Sequence, residues 1–150
     1  MTEASEAKQT SHEWEPKITV FLCSWCASAA ADLAGSSNLE YPSGVHIIKV
    51  PCVARINPLY IIKALQQGSD GVLAVGCHPG DCHYVSGNLV QRRKFTVVKK
   101  FLDDLGIDPD RMQFAWVTAS EGTRFAGLIN KMVQDMKDSG PQKNIVKGAV

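Results

Sequence analysis

The chain has 150 residues, of which 45% are hydrophobic and 21% charged, and its formal net charge is +1. These values are typical of one globular domain, and the near-neutral charge gives no electrostatic reason to expect a nucleic acid partner. No apolar run approaches the roughly 20 residues of a membrane span, so we expect no membrane insertion.

Residues 1–17 predict a flexible arm, because they are polar and rich in Glu, Ser, Thr and Lys. They lack the basic start and apolar core of a secretory signal, so a cytoplasmic location is expected. Thiols stay reduced in that compartment, and an odd number of cysteines, five, argues against a disulfide framework. The cysteines are therefore expected to be small buried residues, redox catalysts or metal ligands.

Four strand–helix units follow the arm. Short apolar runs without a helical period predict the strands, which lie at 18–22, 45–50, 71–76 and 112–117. Runs with helical spacing or high helix propensity predict the helices, which lie at about 26–34, 58–67, 88–105 and 120–139. Residues 141–150 are expected to be a loose tail.

Several helix ends carry recognisable signals. Asn57 before Pro58 indicates a helix start, and Ser120 is expected to cap the last helix. Glycines are expected to end the first three helices, at Gly35, Gly68 and Gly106. Helical spacing places Leu59 on the apolar face of the second helix and places Phe101 and Leu105 on that of the third.

This alternation predicts an α/β fold: a single flavodoxin-like domain at 18–140, with a four-stranded parallel sheet flanked by helices. We expect the strand order 2-1-3-4, in which the first strand lies between the second and the third. Ligands of such sheets bind outside the carboxyl ends of the strands.

All five cysteines fall at that edge. Cys23, Cys52 and Cys77 follow the first three strands, and Cys26 and Cys82 lie in the adjoining loops. Neighbouring strands are about 4.8 Å apart, so the thiols are expected to meet. The C-x2-C and C-x4-C spacings suit metal ligands, and iron–sulfur clusters usually take four thiolates.

Four of the five cysteines are therefore expected to hold an iron–sulfur cluster, with one to spare. Cys23, Cys26 and Cys82 are preferred as ligands because loop positions can turn their sulfurs inward, whereas Cys52 and Cys77 are not distinguished. Two other interpretations remain open. One is a thiol–disulfide oxidoreductase that uses Cys23 and Cys26, and the other is a structural zinc site in an interaction module.

Other polar and aromatic residues near the cysteines have weaker interpretations. His78 and His83 are expected to be solvated or hydrogen-bonded, because enough thiols are present. Trp25 is expected either to shield the cysteines from water or simply to pack. Arg55 and residues 91–94 could meet an acidic partner, although a solvated helix face is the preferred interpretation of residues 91–94.

Three segments resemble a known family. They are F-L-C-S-W-C-A-S-A-A-A-D-L-A-G, V-H-I-I-K-V-P-C-V-A-R-I-N-P and D-G-V-L-A-V-G-C-H-P-G-D-C-H-Y-V-S-G-N, and the later S-E-G-T-R-F-A agrees with them. Together they are similar to the delta subunit of methyl-viologen-reducing hydrogenase, and the resemblance covers about residues 18–140.

The resemblance implies a non-catalytic electron-transfer subunit with one [2Fe-2S] cluster. The family's cysteines fall on Cys23, Cys26, Cys52, Cys77 and Cys82. The resemblance further implies that electrons pass from a hydrogenase or a formate dehydrogenase to the flavin-containing A subunit of heterodisulfide reductase. That electron-bifurcating complex belongs to methanogenic energy metabolism, so the chain is expected to be part of a large hetero-oligomer.

Overall fold

A computed structural model describes residues 13–143. The expected arms at 1–17 and 141–150 therefore lie mostly outside the described residues. The strands are β1 (Ile18–Cys23), β2 (Val45–Val50), β3 (Gly71–Gly76) and β4 (Met112–Trp116). The helices are α1 (Cys26–Ser36), α2 (Pro58–Gln66), α3 (Gly87–Asp104) and α4 (Gly122–Ser139), and two short 3₁₀ turns span Val53–Arg55 and Pro109–Arg111.

The four strands form one parallel sheet in the order β2-β1-β3-β4, which confirms the predicted architecture. With the right-handed crossovers usual for parallel strands, this strand order puts α1 on one face of the sheet and α2 and α3 on the other. Helix α4 packs against α1, and α2 contacts α3. Every residue of β1 and β3 is buried, as is usual for central parallel strands.

Strand β2 differs from its neighbours because its four middle residues, at 46–49, are exposed. It pairs only with β1, in register from Ile18 opposite Val45 to Cys23 opposite Val50. Ile47 and Ile48 are 39% and 45% exposed. The sheet therefore has one edge that the helices within residues 13–143 leave uncovered.

Most predicted helix ends are confirmed. The Asn57 Oδ1 atom accepts the N–H of Leu59 at 2.9 Å at the start of α2, and Gly68 and Gly106 adopt left-handed backbone at φ 106° and 75°. Two predicted ends are wrong. Gly35 lies inside α1, because Asn38 at φ 52° makes the left-handed turn instead. Helix α4 begins at Gly122 with no side-chain cap, since Ser120 lies within the turn that precedes it.

Two predicted apolar faces are also wrong in part. Leu59 is 67% exposed, and α2 buries Ile61 and Leu65 instead. Phe101 and Leu105 are about half exposed, whereas α3 buries Phe95, Val98 and Leu102 (among others). The apolar residues of both helices cover more than one face, so their spacing alone does not identify the face that packs on the sheet. Within residues 13–143 no helix is both long and apolar enough to cross a bilayer.

A thiol cluster at the carboxyl edge of the sheet

The five cysteines meet at the carboxyl edge of the sheet, as predicted. Cys23 ends β1, and Cys77 follows β3 directly. Cys26 opens α1, Cys52 precedes the first 3₁₀ turn, and Cys82 lies in the loop before α3. All five side chains are part of the same packed core, in which Cys23, Cys52 and Cys77 are buried and the other two are partly exposed.

The thiols divide into a group of three and a pair. The Cys23 and Cys77 sulfurs are 3.5 Å apart, and the Cys77 thiol also interacts with the Cys26 thiol. Cys52 and Cys82 interact with each other. We call these sets the thiol trio (Cys23, Cys26, Cys77) and the thiol pair (Cys52, Cys82). The two sets are close enough for Cys23 to influence Cys52 electrostatically.

Helix α3 approaches the thiol pair at its first residue, Gly87. A Cβ atom at this position would overlap the Cys52 Sγ atom and would lie 3.3 Å from the Cys82 Sγ atom and 3.4 Å from the Ala54 Cβ atom. Only glycine leaves room for both sulfurs beside the helix N-terminus. The close approach brings the positive end of an 18-residue helix to the thiol pair.

Cys82 is the thiol in the most anion-stabilising surroundings. Its partial burial opposes ionisation, but the backbone N–H groups of Asn88, Tyr84 and Gly87 outweigh that effect and lower the pKa of the Cys82 thiol. Burial raises the pKa of Cys23, Cys52 and Cys77 above the ordinary value. N–H groups directed at sulfur stabilise a thiolate, whether it is unbound or a metal ligand.

Further contacts fix the loop that carries Cys77. Asn88 is fully buried, and its Nδ2 donates to the Cys77 carbonyl oxygen at 2.8 Å. His78 is hydrogen-bonded through Nε2 to the Glu121 carboxylate at 2.8 Å, which in turn accepts the Thr118 N–H at 2.8 Å. Sequence reasoning missed Gly87, Asn88 and Glu121. The residues Ser-Gly-Asn indicate a helix start, but nothing in the sequence shows what that start touches.

The histidines agree with the expectation that they are solvated or hydrogen-bonded, since His78 bonds to Glu121 and His83 is exposed. His83 stacks on Trp25 with ring centroids 3.6 Å apart, and this contact joins the loops that carry Cys26 and Cys82. The preferred interpretation of residues 91–94 as a solvated helix face is wrong in part. Gln91 is buried, and Lys94 Nζ donates to the Ala54 carbonyl at 2.7 Å.

The thiols fit an iron–sulfur cluster in number, in donor type and in spacing. Two sulfurs bound to one tetrahedral metal at about 2.3 Å are about 3.8 Å apart, which is close to the Cys23–Cys77 separation of 3.5 Å. In the described residues no three His, Cys, Asp or Glu side chains are grouped to hold a single metal ion. Iron–sulfur clusters usually take four cysteine thiolates, and the thiol trio and the thiol pair together supply five.

Glu121 gives one pH-dependent prediction. The Thr118 N–H and the His78 side chain lower the pKa of its carboxyl group below the usual 4.5. A carboxyl group whose pKa is lower in the folded state than in the unfolded state stabilises the fold at pH values above its unfolded-state pKa. This stabilisation is lost as the pH falls through the folded-state pKa. We therefore expect Glu121→Gln to lower the Tm at pH 7, and we expect the difference from wild type to shrink below about pH 4.

The measurement is thermal unfolding of both proteins at several pH values between 3 and 7. Glu40, an exposed glutamate, gives the control variant Glu40→Gln, which should match wild type at pH 7. A Tm difference for Glu121→Gln that persists unchanged at the lowest pH would contradict the expected role of its charge.

Comparison with known proteins shows clear relatives. The family described as methyl-viologen-reducing hydrogenase, delta subunit, matches residues 18–140. The chain is 44% identical over 133 residues to the iron–sulfur D subunit of the F420-non-reducing hydrogenase of Archaeoglobus profundus, and the match covers 89% of this chain and 97% of that protein. The iron–sulfur D subunit of a Methanococcus voltae F420-non-reducing hydrogenase is also 44% identical, over 128 residues that cover 85% of this chain and 89% of that protein.

A second kind of relative is much longer. The chain is 39% identical over 139 residues to the A subunit of the ferredoxin/F420H2-dependent CoB-CoM heterodisulfide reductase of Methanosarcina acetivorans. That match covers 92% of this chain but only 18% of the relative. A segment similar to this chain is therefore part of a larger polypeptide in that organism.

Proposed function

Because the chain belongs to the family of methyl-viologen-reducing hydrogenase delta subunits, we propose that it is an electron-transfer subunit that holds one [2Fe-2S] cluster. The observation that carries this proposal is the meeting of all five thiols at one sheet edge, in a trio and a pair. Such a cluster supplies one-electron chemistry when it is bound. The chain's own residues anchor it, exclude water and direct N–H groups toward its sulfur ligands.

Four of the five cysteines, Cys23, Cys26, Cys52, Cys77 and Cys82, are proposed to ligate. The thiol pair supplies two ligands, and the thiol trio supplies two more and contains the spare. Residues 18–140 form the proposed iron–sulfur domain, and the segments 1–17 and 141–150 are proposed as arms.

The proposed partners are the A subunit of a heterodisulfide reductase and a hydrogenase or formate dehydrogenase, within a cytoplasmic hetero-oligomer. Relatives named as a hydrogenase D subunit and as a heterodisulfide reductase A subunit support the reductase and hydrogenase partners. In this proposal electrons pass from the hydrogenase or formate dehydrogenase, one at a time, through the chain to the reductase A subunit. Bifurcation of electrons takes place on the reductase A subunit and not on this chain.

The thiol–disulfide oxidoreductase is less well supported by the geometry. Such an enzyme attacks with a thiolate of lowered pKa, but burial raises the pKa of Cys23. The Cys23 sulfur is in contact with Cys77, whereas the alternative requires an exchange between Cys23 and Cys26. A zinc site would use the same thiols, so metal analysis must separate it from the cluster.

The test is anaerobic purification of the full chain, followed by metal and sulfide analysis and EPR spectroscopy. We expect a brown protein with about two irons and two acid-labile sulfides per chain, and an EPR signal that appears on reduction. A colourless protein fully loaded with zinc would overturn the proposal.

A further inference from the structure

A groove leads from the surface to Cys52 of the thiol pair. It encloses about 440 Å³ and is lined mainly by Pro51, Cys52, Ala54, Arg55, Tyr84 and Val90. We call it the thiol groove. Cys23 and Cys77 are 2% and 3% exposed and lie on the inner side of the cluster site. The groove is therefore an approach from outside to Cys52, one of the proposed ligands.

The rim of the thiol groove has the composition of a protein-binding surface. Tyr84 and Val90 line the groove and are 51% and 38% exposed, and Val85, next to Tyr84 in the chain, is 82% exposed. Exposed apolar patches are typical of interaction sites. Val85 also adopts left-handed backbone at φ 68°. This conformation is unfavourable for a β-branched residue and occurs mostly at functional sites.

The charge at the groove has one sign. Among the described residues that line the thiol groove, Arg55 alone carries a charge. Exposed Arg93 lies one helical turn beyond Val90. Exposed arginine next to tyrosine is typical of the residues that dominate binding energy at interfaces. A partner that fits this surface would present an apolar side chain flanked by carboxylates.

We propose that the thiol groove is the docking surface for the A subunit of heterodisulfide reductase, which inserts an apolar side chain between carboxylates that meet Arg55 and Arg93. The proposal rests on the proposed function and adds the surface through which the partner is bound. The reductase A subunit is chosen over the electron donor because a segment similar to this chain is part of one such polypeptide. A partner at the groove would lie against Cys52, a proposed ligand, and so beside the proposed cluster, which is what electron transfer between two proteins requires.

Two variants of the cluster-loaded full chain test the proposal, Arg55→Glu and Val90→Asp. Their binding to the purified reductase A subunit from the same organism is measured by calorimetry at low and high salt. Each is expected to weaken binding by about tenfold or more, and Arg55→Glu should also reduce the salt dependence. Arg55 is exposed, so its variant remains informative if Val90→Asp fails to fold.

The matched controls are Lys63→Glu and Val97→Asp. They make the same chemical changes at exposed positions outside the thiol groove, the second of them on the same helix as Val90. Binding within about twofold of wild type is expected for both. The docking proposal is overturned if Arg55→Glu and Val90→Asp bind as wild type does, or if the controls weaken binding as much.

Iron content and the EPR signal are measured on every variant first. These readings separate the docking surface from the function on which it rests. A wild-type chain without iron overturns the proposed function, while the same binding series, run on the iron-free chains, still decides where the reductase A subunit docks. A cluster-loaded wild-type chain that does not bind the reductase A subunit overturns both the docking surface and the proposed partner.

Discussion

Replacement of Cys52 or Cys82 by serine is expected to abolish cluster binding. These two thiols interact mainly with each other, and Cys23, the trio thiol that also influences Cys52, is itself a proposed ligand and cannot take over a lost position. The thiol trio has one more sulfur than two ligand positions need. The Cys23 and Cys77 sulfurs already have the separation of two ligands on one metal, so Cys26→Ser is expected to be the one cysteine variant that retains the cluster.

The measurement is iron and sulfide per chain for all five Cys→Ser variants, prepared anaerobically. We expect two irons per chain for Cys26→Ser and less than about a tenth of that for the other four, because a binuclear cluster needs four protein ligands. The control is Ser24→Ala, which alters the same loop without removing a sulfur. Retention of iron in Cys52→Ser or Cys82→Ser would contradict the division into a trio and a pair.

Gly87→Ala is expected to disrupt the site although it removes no ligand. The new methyl group would overlap the Cys52 sulfur and crowd the Cys82 sulfur, so the start of α3 must move away from the thiol pair. Inserting a methyl group into a packed core typically costs about 1–3 kcal/mol. Here the displaced atoms are proposed ligands, so we expect iron content to fall by more than about half together with this destabilisation.

Gly127→Ala is the matched control, because Gly127 lies in the middle of α4 with no atom near the position of the added Cβ. That change should leave the iron content unaltered and stabilise the chain by about 0.5–1 kcal/mol, since alanine loses less conformational entropy in a helix. Iron content and urea unfolding of the two alanine variants provide the comparison. If the Gly87→Ala and Gly127→Ala variants have the same iron content and the same stability, the close approach of α3 to the thiols is not required for cluster binding.

The position of the site could be predicted from the sequence because it depends on topology. Each of three strands is followed by a cysteine, and parallel strands end at a common edge, so Cys23, Cys52 and Cys77 had to lie near one another. The sequence also showed where α2 begins, since the Asn57 side chain bonds to the backbone two residues later. The first prediction depends on the order of strands and helices, and the second depends on local chain geometry.

The arrangement within the site could not be predicted, because it depends on how separate elements pack. The contact of Cys52 with Cys82 requires α3 to come close enough for Gly87 to touch both, and the carbonyl of Cys77 is held by Asn88 from the same helix. Sequence reasoning preferred Cys26 as a ligand and left Cys77 undecided. On the Cys23–Cys77 separation we propose the opposite order, which the five Cys→Ser variants test. Nothing in the spacing of α2 indicates that Leu59 points outward, since apolar residues lie on several of its faces.

The uncovered strand β2 has a practical consequence for work on the isolated chain. Parallel strands are ordinarily covered on both faces, but Ile47 and Ile48 are exposed and the outer edge of β2 has no neighbouring strand among the described residues. Exposed strand edges with apolar side chains promote association between copies. Concentrated samples of the chain alone would then be prone to precipitate, and co-production with its partners is the better route to soluble material.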